Sequence, residues 1–408
     1  MKNVFRIFHS MIPALLTGVM LMGVVACSKD DSEDENANSR SVLVYIAAQN
    51  SLMGNEGNDI IEMLAGSSSI GEHDHMVVFV DNNNRSRIYE ITRDTKATTP
   101  YNLNPVHVYD DNLNSATPIV FDRVLDYFFQ HYKAKDYGLV LWSHGSGWIN
   151  ATSKAQQRRS FAVDTSNGTT RMMITDMAEV LRKYPKFEYI LFDACFMQTI
   201  EVAYEFRDAA KYIIGSPTEI PSAGAPYKQM MPALFLHDTE HKIAKDIVDA
   251  YGSYYNSYSD GGVVLSAIKT SEFDAFVDVM AEMFDKYYFL DESKYTNCLN
   301  YYQYEWNKTY AAYYAPDEYD IQGIMMKVLN DSDYSRWENA FYRLSPFISI
   351  GNCWFSAYTH ALMPVDKSQC GAVSMYLPLE KYRNDDYYNY YKEIQWGKLF
   401  EGKLKVEN

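Results

Sequence analysis

YGLVLWSHG at residues 137–145 and FEYILFDAC at residues 187–195 decide the fold of this chain. Each is an apolar run of strand length that ends abruptly in polar residues. Runs of this kind, without alternation of polar residues, are typical of strands that are buried on both faces. The two stretches therefore predict neighbouring strands of a parallel sheet that is covered by helices.

The segments around these stretches repeat the same alternation of strand and helix. Helical patterns begin at Thr117–Pro118, where threonine caps and proline opens the helix, and again at Thr175 and Gln198. We predict a three-layer α/β architecture with a mainly parallel sheet, followed by a tyrosine-rich and mostly helical C-terminal region. The other predicted strands of the sheet are 41–48, 75–82, 161–164, 212–216 and 261–268.

The N-terminal segment has the pattern of an export signal. Lys2 and Arg6 precede an apolar run at 11–25, and VVAC at 24–27 resembles a bacterial lipobox with Cys27 as the lipidated residue. An ordinary signal peptide is the alternative. We assign 1–26 to the signal and 27–39 to an acidic flexible tether, which resembles the export signal of bacterial surface lipoproteins. The protein is then an exported lipoprotein of the outer membrane, facing the cell surface or the periplasm.

Charge and cysteine content exclude several classes of function. The chain has 37 Lys and Arg against 53 Asp and Glu, a net charge of −16, which argues against nucleic acid as a partner and favours cationic substrates. Beyond Cys27 the cysteines are Cys195, Cys298, Cys353 and Cys370. They form no CxxC pair, so neither a zinc site nor a disulfide framework is indicated, and we expect no metal and no cofactor. Cys353 and Cys370 could form a disulfide or stay as buried free thiols.

The two decisive strands end in side chains that can react together. Sites in open α/β sheets gather beyond the carboxyl ends of the strands, where this sequence has His144 and Cys195. A histidine can take the proton of a thiol, and a helix beginning near Gln198 would favour the thiolate. The amides of Gly145 and Cys195 are candidate oxyanion donors. Asp193, two residues before the cysteine, could line a pocket for a Lys or Arg side chain.

Five blocks give the sequence a family resemblance. HGSGW at 144–148, RSFAVD at 159–164, FDACFMQTIEVAYEF at 192–206, GSPTEIPSAGAPY at 215–227 and GAVSMYLP at 371–378 resemble the clostripain-like cysteine peptidases. The resemblance implies a caspase-like catalytic core, a Cys195–His144 dyad and cleavage after basic residues with Asp193 in the specificity pocket. Some relatives place a second acid in the loop that matches 221–224. Here that loop has Ser222 and Ala223, and Glu219 is the candidate substitute.

The resemblance also predicts the domain organisation and a processing loop. We assign residues 40–270 to the catalytic core and 271–408 to the helical region, which contributes a late strand near 371–378. Relatives are often matured by cleavage between the histidine strand and the next strand. The corresponding loop, 149–160, offers Lys154, Arg158 and Arg159 as cleavage sites.

Two competing interpretations lead to different functions. A non-catalytic surface lipoprotein could bind proteins or glycans through its tyrosine-rich C-terminal region. That interpretation gives no role to His144, Gly145, Asp193 and Cys195 together. A caspase-like peptidase with a preference for acidic residues is the other, and the charge of Asp193 argues against it.

Overall fold

The central sheet is formed by nine strands, counted over the residues that the structure describes. The computed structural model describes residues 39–111, 113–148, 161–166, 168–237, 242–257, 262–301, 317–356, 360–384, 386–400 and 403. The signal, residues 27–38 of the tether with Cys27, and the predicted cleavage sites Lys154, Arg158 and Arg159 lie outside this part of the chain.

Five parallel strands form the middle of the sheet. In spatial order they are β9 (Ala210–Gly215), β8 (Phe187–Asp193), β5 (Asp136–Trp142), β1 (Arg40–Ala47) and β2 (His75–Asp81). They are buried on both faces, which explains their unbroken apolar sequences. The predicted mainly parallel α/β sheet is confirmed.

Antiparallel strands complete the sheet at both edges. On one side these are β3 (Arg87–Ile91) and β4 (His107–Val108), and on the other β10 (Val264–Lys269) and β12 (Phe347–Ile350). The sequence did not predict β12. Its residues are all partly exposed and it lies within a region that reads as helical, so no buried apolar run marks it.

In the part of the chain that the structure describes, three small sheets lie outside the central one. The predicted strand at 161–164 is present, but placing it in the parallel sheet was wrong, because β6 (Phe161–Asp164) forms a separate two-stranded sheet with β7 (Thr170–Met172). The predicted late strand is β15 (Ser374–Tyr376), which pairs with β11 (Glu318–Asp320). A hairpin joins β13 (Cys353–Ser356) to β14 (Ala361–Pro364).

Helices cover both faces of the sheet. Val42, Val44 and Ile46 of β1 belong to one buried cluster, whereas Leu43 and Tyr45 belong to the other, as strand alternation requires. The first cluster is completed by α1, α5 and α6, and the second by α2, α3, α4 and much of the C-terminal region. In chain order the helices are α1 (Glu56–Gly66), α2 (Pro118–His131), α3 (Ile174–Leu181), α4 (Ile200–Glu205), α5 (Tyr227–Leu234), α6 (Lys242–Asn256), α7 (Phe273–Lys286), α8 (Ile321–Val328), α9 (Asp331–Leu344), α10 (Asp386–Tyr391) and α11 (Gln395–Phe400).

Candidate active site

The candidate residues meet at the carboxyl edge of the central sheet. Trp142 of β5 is paired with Asp193 of β8, so His144 and Cys195 each follow two residues beyond the same register position. Both line one cavity of about 280 Å³. The sequence-predicted Gly145, Asp193 and Glu219 line the same cavity.

Cys195 sits in a strained turn that faces this cavity. Phe196 has a φ of 60°, an uncommon conformation for a bulky residue, and its amide donates to the Thr218 carbonyl at 2.9 Å. The Ile220 amide donates to the Cys195 sulfur at 3.4 Å. Strain of this kind persists only where the surrounding structure holds it in place, and it is concentrated at functional sites.

The Cys195 thiol is not ionised in advance. Burial raises its pKa to about 12, and the negative charges of Glu219 and Asp193 act in the same direction. The following helix begins at Ile200, five residues beyond the sulfur, and has only six residues. The expected activation by a helix start near Gln198 is therefore absent, and a base is needed to remove the proton.

His144 is positioned by two neighbouring segments. Its Nε2 lies 2.8 Å from the hydroxyl of Ser51, and its carbonyl accepts from the amide of Ala162 at 3.1 Å. Burial lowers the pKa of the imidazole, and the positive charge of Arg171 lowers it further. The ring is thus kept neutral near pH 7, as a general base requires.

Gly145 permits the close approach of the two strand ends. A Cβ at this position would lie 2.6 Å from the Cys195 carbonyl oxygen and 2.9 Å from the Ala194 Cβ. Any side chain would push the histidine turn away from the cysteine turn. The glycine is therefore required by packing, whatever its amide does.

Asp193 forms part of the pocket wall on the side of α5 and α6. Its Oδ2 accepts from the Ala225 amide at 3.1 Å and from the Tyr227 hydroxyl at 2.9 Å, while Oδ1 accepts from the Tyr251 hydroxyl at 3.4 Å. Burial raises the pKa of this carboxyl, although the three donors oppose the shift.

Asp59 is a second buried acid that the sequence analysis missed. Its Oδ2 accepts from Trp142 Nε1 at 2.8 Å. A Cβ on Gly224 would lie 3.5 Å from that oxygen and 3.1 Å from Asp193 Oδ2, so both carboxylates flank one point of the cavity wall. Burial and the neighbouring Asp193 raise the pKa of Asp59. Its signal in the sequence is an acid in the apolar stripe of a helix, beside the buried Ile60 and Met63.

The comparison with known families shows which family the chain belongs to. The sequence model of the clostripain family matches residues 44–406. This chain belongs to the clostripain family of cysteine-type endopeptidases. It is 26% identical over 200 residues to clostripain of Hathewaya histolytica, an alignment that covers 43% of this chain and 37% of that relative's length.

Solved structures of clostripain-family relatives have the same fold. A secreted C11 cysteine protease from Bacteroides thetaiotaomicron, in complex with an irreversible peptide inhibitor, is 30% identical with a TM-score of 0.74. The match covers 90% of this chain and 98% of that structure. An inactive zymogen C11 protease from Parabacteroides distasonis is 26% identical with a TM-score of 0.70, covering 88% and 97%.

The rest of the cavity wall is mostly apolar. Leu52, Ile220, Pro221 and Phe355 line it, and Phe355 on the β13–β14 hairpin is 46% exposed. Within the described ranges, no group of three or more His, Cys, Asp or Glu residues could hold a metal ion. The same part of the chain contains no helix with the length and apolar character needed to cross a bilayer.

The other cysteines lie away from the cavity. Cys298, Cys353 and Cys370 are buried, and over the described residues no disulfide joins Cys353 to Cys370. Burial raises the pKa of Cys298 to about 11, close to the effect on Cys195. The surroundings of the sulfur, and not its pKa, distinguish Cys195.

Proposed function

We propose that this protein cleaves peptide bonds after Arg or Lys through a Cys195–His144 dyad. The observation that carries the proposal is the lining of one cavity by a thiol, a neutral imidazole and a buried carboxylate. The peptide inhibitor bound by the Bacteroides thetaiotaomicron relative supports a peptide as the ligand.

The proposed reaction proceeds through an acyl-enzyme. As the Cys195 sulfur attacks the scissile carbonyl carbon, His144 takes the thiol proton, and the carbonyl oxygen becomes an oxyanion near the amides of Gly145 and Cys195. The C–N bond then breaks, and His144 returns the proton to the leaving amine. Water, deprotonated by His144, hydrolyses the thioester and restores the thiol.

The acidic pocket supports a preference for basic residues. None of the described residues that line the cavity is Lys or Arg, whereas Asp193 lines it and Asp59 lies behind Gly224. A substrate cation would be attracted by the negative charge of Asp193, and by that of Asp59 where its carboxyl is ionised, whereas an acidic side chain would be repelled. Glu219 also lines the cavity and adds negative charge near the nucleophile.

Peptide cleavage by purified variants tests this function. Protein that lacks residues 1–27 is offered matched fluorogenic peptides that end in Arg, Lys, Asp or Leu. We expect turnover of the Arg and Lys peptides only, and a loss of at least about 10⁴-fold in Cys195→Ala and His144→Ala. Cys298→Ala is the matched control, because it removes a buried thiol outside the cavity. Turnover by Cys195→Ala would contradict the proposed Cys195–His144 dyad, and absence of turnover by the wild type would favour a binding role.

We also propose that the loop 149–160 is cleaved at Lys154, Arg158 or Arg159 during maturation. The proposal rests on basic residues that match the expected specificity, and on the zymogen form described for the Parabacteroides distasonis relative. Cys195→Ala protein is expected to stay a single chain, and added wild-type enzyme to cut it. Two chains in pure Cys195→Ala would exclude self-processing.

Finally, we propose that Cys27 anchors the protein to the outer membrane as a lipoprotein. The motif VVAC and the acidic residues that follow it carry this proposal. A clickable fatty acid should label the wild type in cells but not Cys27→Ser. Equal labelling of both proteins would exclude Cys27 as the acylated residue. Protease accessibility on intact cells distinguishes the outer face from the periplasm.

A further inference from the structure

The loop after β1 brings a hydroxyl to the catalytic histidine. Ser51 Oγ lies 2.8 Å from His144 Nε2. Ser51 is four residues beyond Ala47, the last residue of β1, and β1 is the direct neighbour of β5 in the sheet. The serine thus reaches the site from a third strand end at the same edge.

This loop is held firmly enough to position a side chain. Asn50, the preceding residue, donates to the carbonyls of Ala47 and Val163 at 2.9 Å each. Its Oδ1 accepts from the Leu52 amide at 2.9 Å. Asn50 therefore ties the Ser51 loop to the end of β1 and to β6, whose Ala162 holds the His144 carbonyl.

The contact occupies Nε2 and therefore bears on which ring nitrogen acts as the base. A neutral imidazole has one N–H and one lone pair, and the hydrogen bond at one nitrogen helps to set which nitrogen carries the proton. If Nε2–H donates to the Ser51 hydroxyl, the lone pair lies on Nδ1. After proton transfer both nitrogens carry hydrogen, and the hydroxyl still accepts from Nε2–H.

We propose that Ser51 is a positioning residue that keeps the His144 proton on Nε2 and leaves Nδ1 to take the proton of Cys195. The proposal rests on the peptidase function proposed above. It adds a third member to the site, one that acts through the histidine and forms no bond with the substrate. In the imidazolium state the hydroxyl supplies a hydrogen-bond acceptor for Nε2–H.

The other ionisable groups around the ring are distributed over three segments. Cys195 follows β8, Glu219 lies in the loop after β9, and Arg171 is on β7. Cys195, Asp193 and Glu219 share the cavity with His144, and the charge of Arg171 acts on the imidazole. All four stay unchanged in a Ser51 variant, so a change in the pH profile can be assigned to the hydroxyl.

The test compares Ser51→Ala, Ser51→Thr and Met53→Ala with the wild type on an arginyl peptide. For Ser51→Ala we expect kcat to fall about tenfold to a hundredfold with KM within about twofold, since a hydrogen bond to a charged group is lost. The acidic limb of kcat/KM should move to lower pH, because the imidazolium loses an acceptor. Ser51→Thr should restore most of kcat. Met53→Ala, an exposed change in the same loop, should resemble the wild type.

Several outcomes would overturn the proposal. These are an unchanged kcat in Ser51→Ala, a loss confined to KM, an unshifted acidic limb, or an equal loss in Met53→Ala. Independently of activity, ¹⁵N spectra of labelled protein report the tautomer, with His144 assigned by its absence in His144→Ala. We expect the Nε2–H form in the wild type, and an Nδ1–H form would contradict the proposal. Failure of the dyad itself would appear separately, as activity in Cys195→Ala.

Discussion

Two buried aspartates at strand ends, Asp193 and Asp320, differ in what surrounds their oxygens. Burial raises the pKa of both carboxyls, to about 6 for Asp320. Asp320 accepts from the Tyr301 hydroxyl and from four amides, those of Gln322, Gly323, Gly371 and Ala372, and it caps α8. Asp193 accepts from three donors, one of them at 3.4 Å, and it lines the cavity.

We propose that this difference separates a carboxylate with a structural role, Asp320, from one that binds the substrate, Asp193. Asp320 has no remaining direction for a ligand, because its donors converge from three segments of the C-terminal region. Asp193 keeps a poorly bonded Oδ1 at the edge of the cavity. Burial and the pKa alone do not distinguish Asp193 from Asp320. The number of hydrogen bonds that each carboxylate accepts within the protein does distinguish them.

Replacing Asp193 should give the largest effect. Asp193→Asn removes the charge that we assign to the substrate cation, so kcat/KM for arginyl and lysyl peptides should fall about 10²- to 10³-fold. The thermal midpoint should change little, since an amide oxygen can still accept from the Ala225 amide. Equal losses of kcat/KM on basic and neutral peptides would show that Asp193 does not determine specificity.

Replacing Asp320 should give the opposite pattern. Asp320→Asn places an NH₂ group opposite backbone donors and weakens the cap of α8, so the free energy of unfolding should fall by about 2–3 kcal/mol. Denaturant titration measures this loss. Below the unfolding transition, kcat and KM should match the wild type, and a selective loss of basic substrates would contradict the comparison.

Asp59 should make the binding of a basic substrate depend on pH. Its raised pKa keeps the carboxyl protonated near neutrality, and its ionisation at higher pH adds a second negative charge to the pocket. For the wild type we expect the KM of an arginyl peptide to fall by up to about tenfold as pH rises above 7. Asp59→Asn should abolish this trend. Glu62→Gln, a change one turn further along α1, should keep the trend but move it to lower pH, because the charge of Glu62 raises the pKa of Asp59. Parallel profiles for the wild type and Asp59→Asn would show that Asp59 does not contribute to cation binding.

Replacing Arg171 should give the smallest effect, because its charge acts on the proposed general base, His144. Its positive charge lowers the pKa of His144, so Arg171→Gln should raise that pKa and move the acidic limb of kcat/KM to higher pH. Arg171→Lys keeps the charge and is the control. A downward shift in Arg171→Gln would have the wrong sign for this electrostatic account.

The sequence predicts the strands best where they are buried on both faces, because such strands are unbroken apolar runs. β5 and β8 are such runs, so the positions of His144 and Cys195 at one sheet edge follow from the sequence. The four residues of β6 are too few to specify a partner, and a hairpin with β7 forms instead. The antiparallel edge strand β12 was missed because its residues are partly exposed.

The remaining parts of the site depend on contacts between distant residues. Ser51 and Asp59 lie more than 80 residues before their partners His144 and Trp142. Neither has a local motif, although both follow β1, a strand whose end the topology places beside the site. The helix after Cys195 was expected too early, because Gln198 and Thr199 are both compatible with a helix start, and the bond from the Val202 amide to the Thr199 hydroxyl identifies Thr199 as the cap.

Our central proposal is that His144 activates the thiol of Cys195. The measurement is the rate and site of alkylation by a biotinylated arginyl chloromethyl ketone at neutral pH, followed by intact mass and peptide mapping. We predict one adduct, on Cys195, that forms far more slowly in His144→Ala and in Asp193→Asn. An adduct on Cys298, Cys353 or Cys370, or an unchanged rate in His144→Ala, would contradict the account.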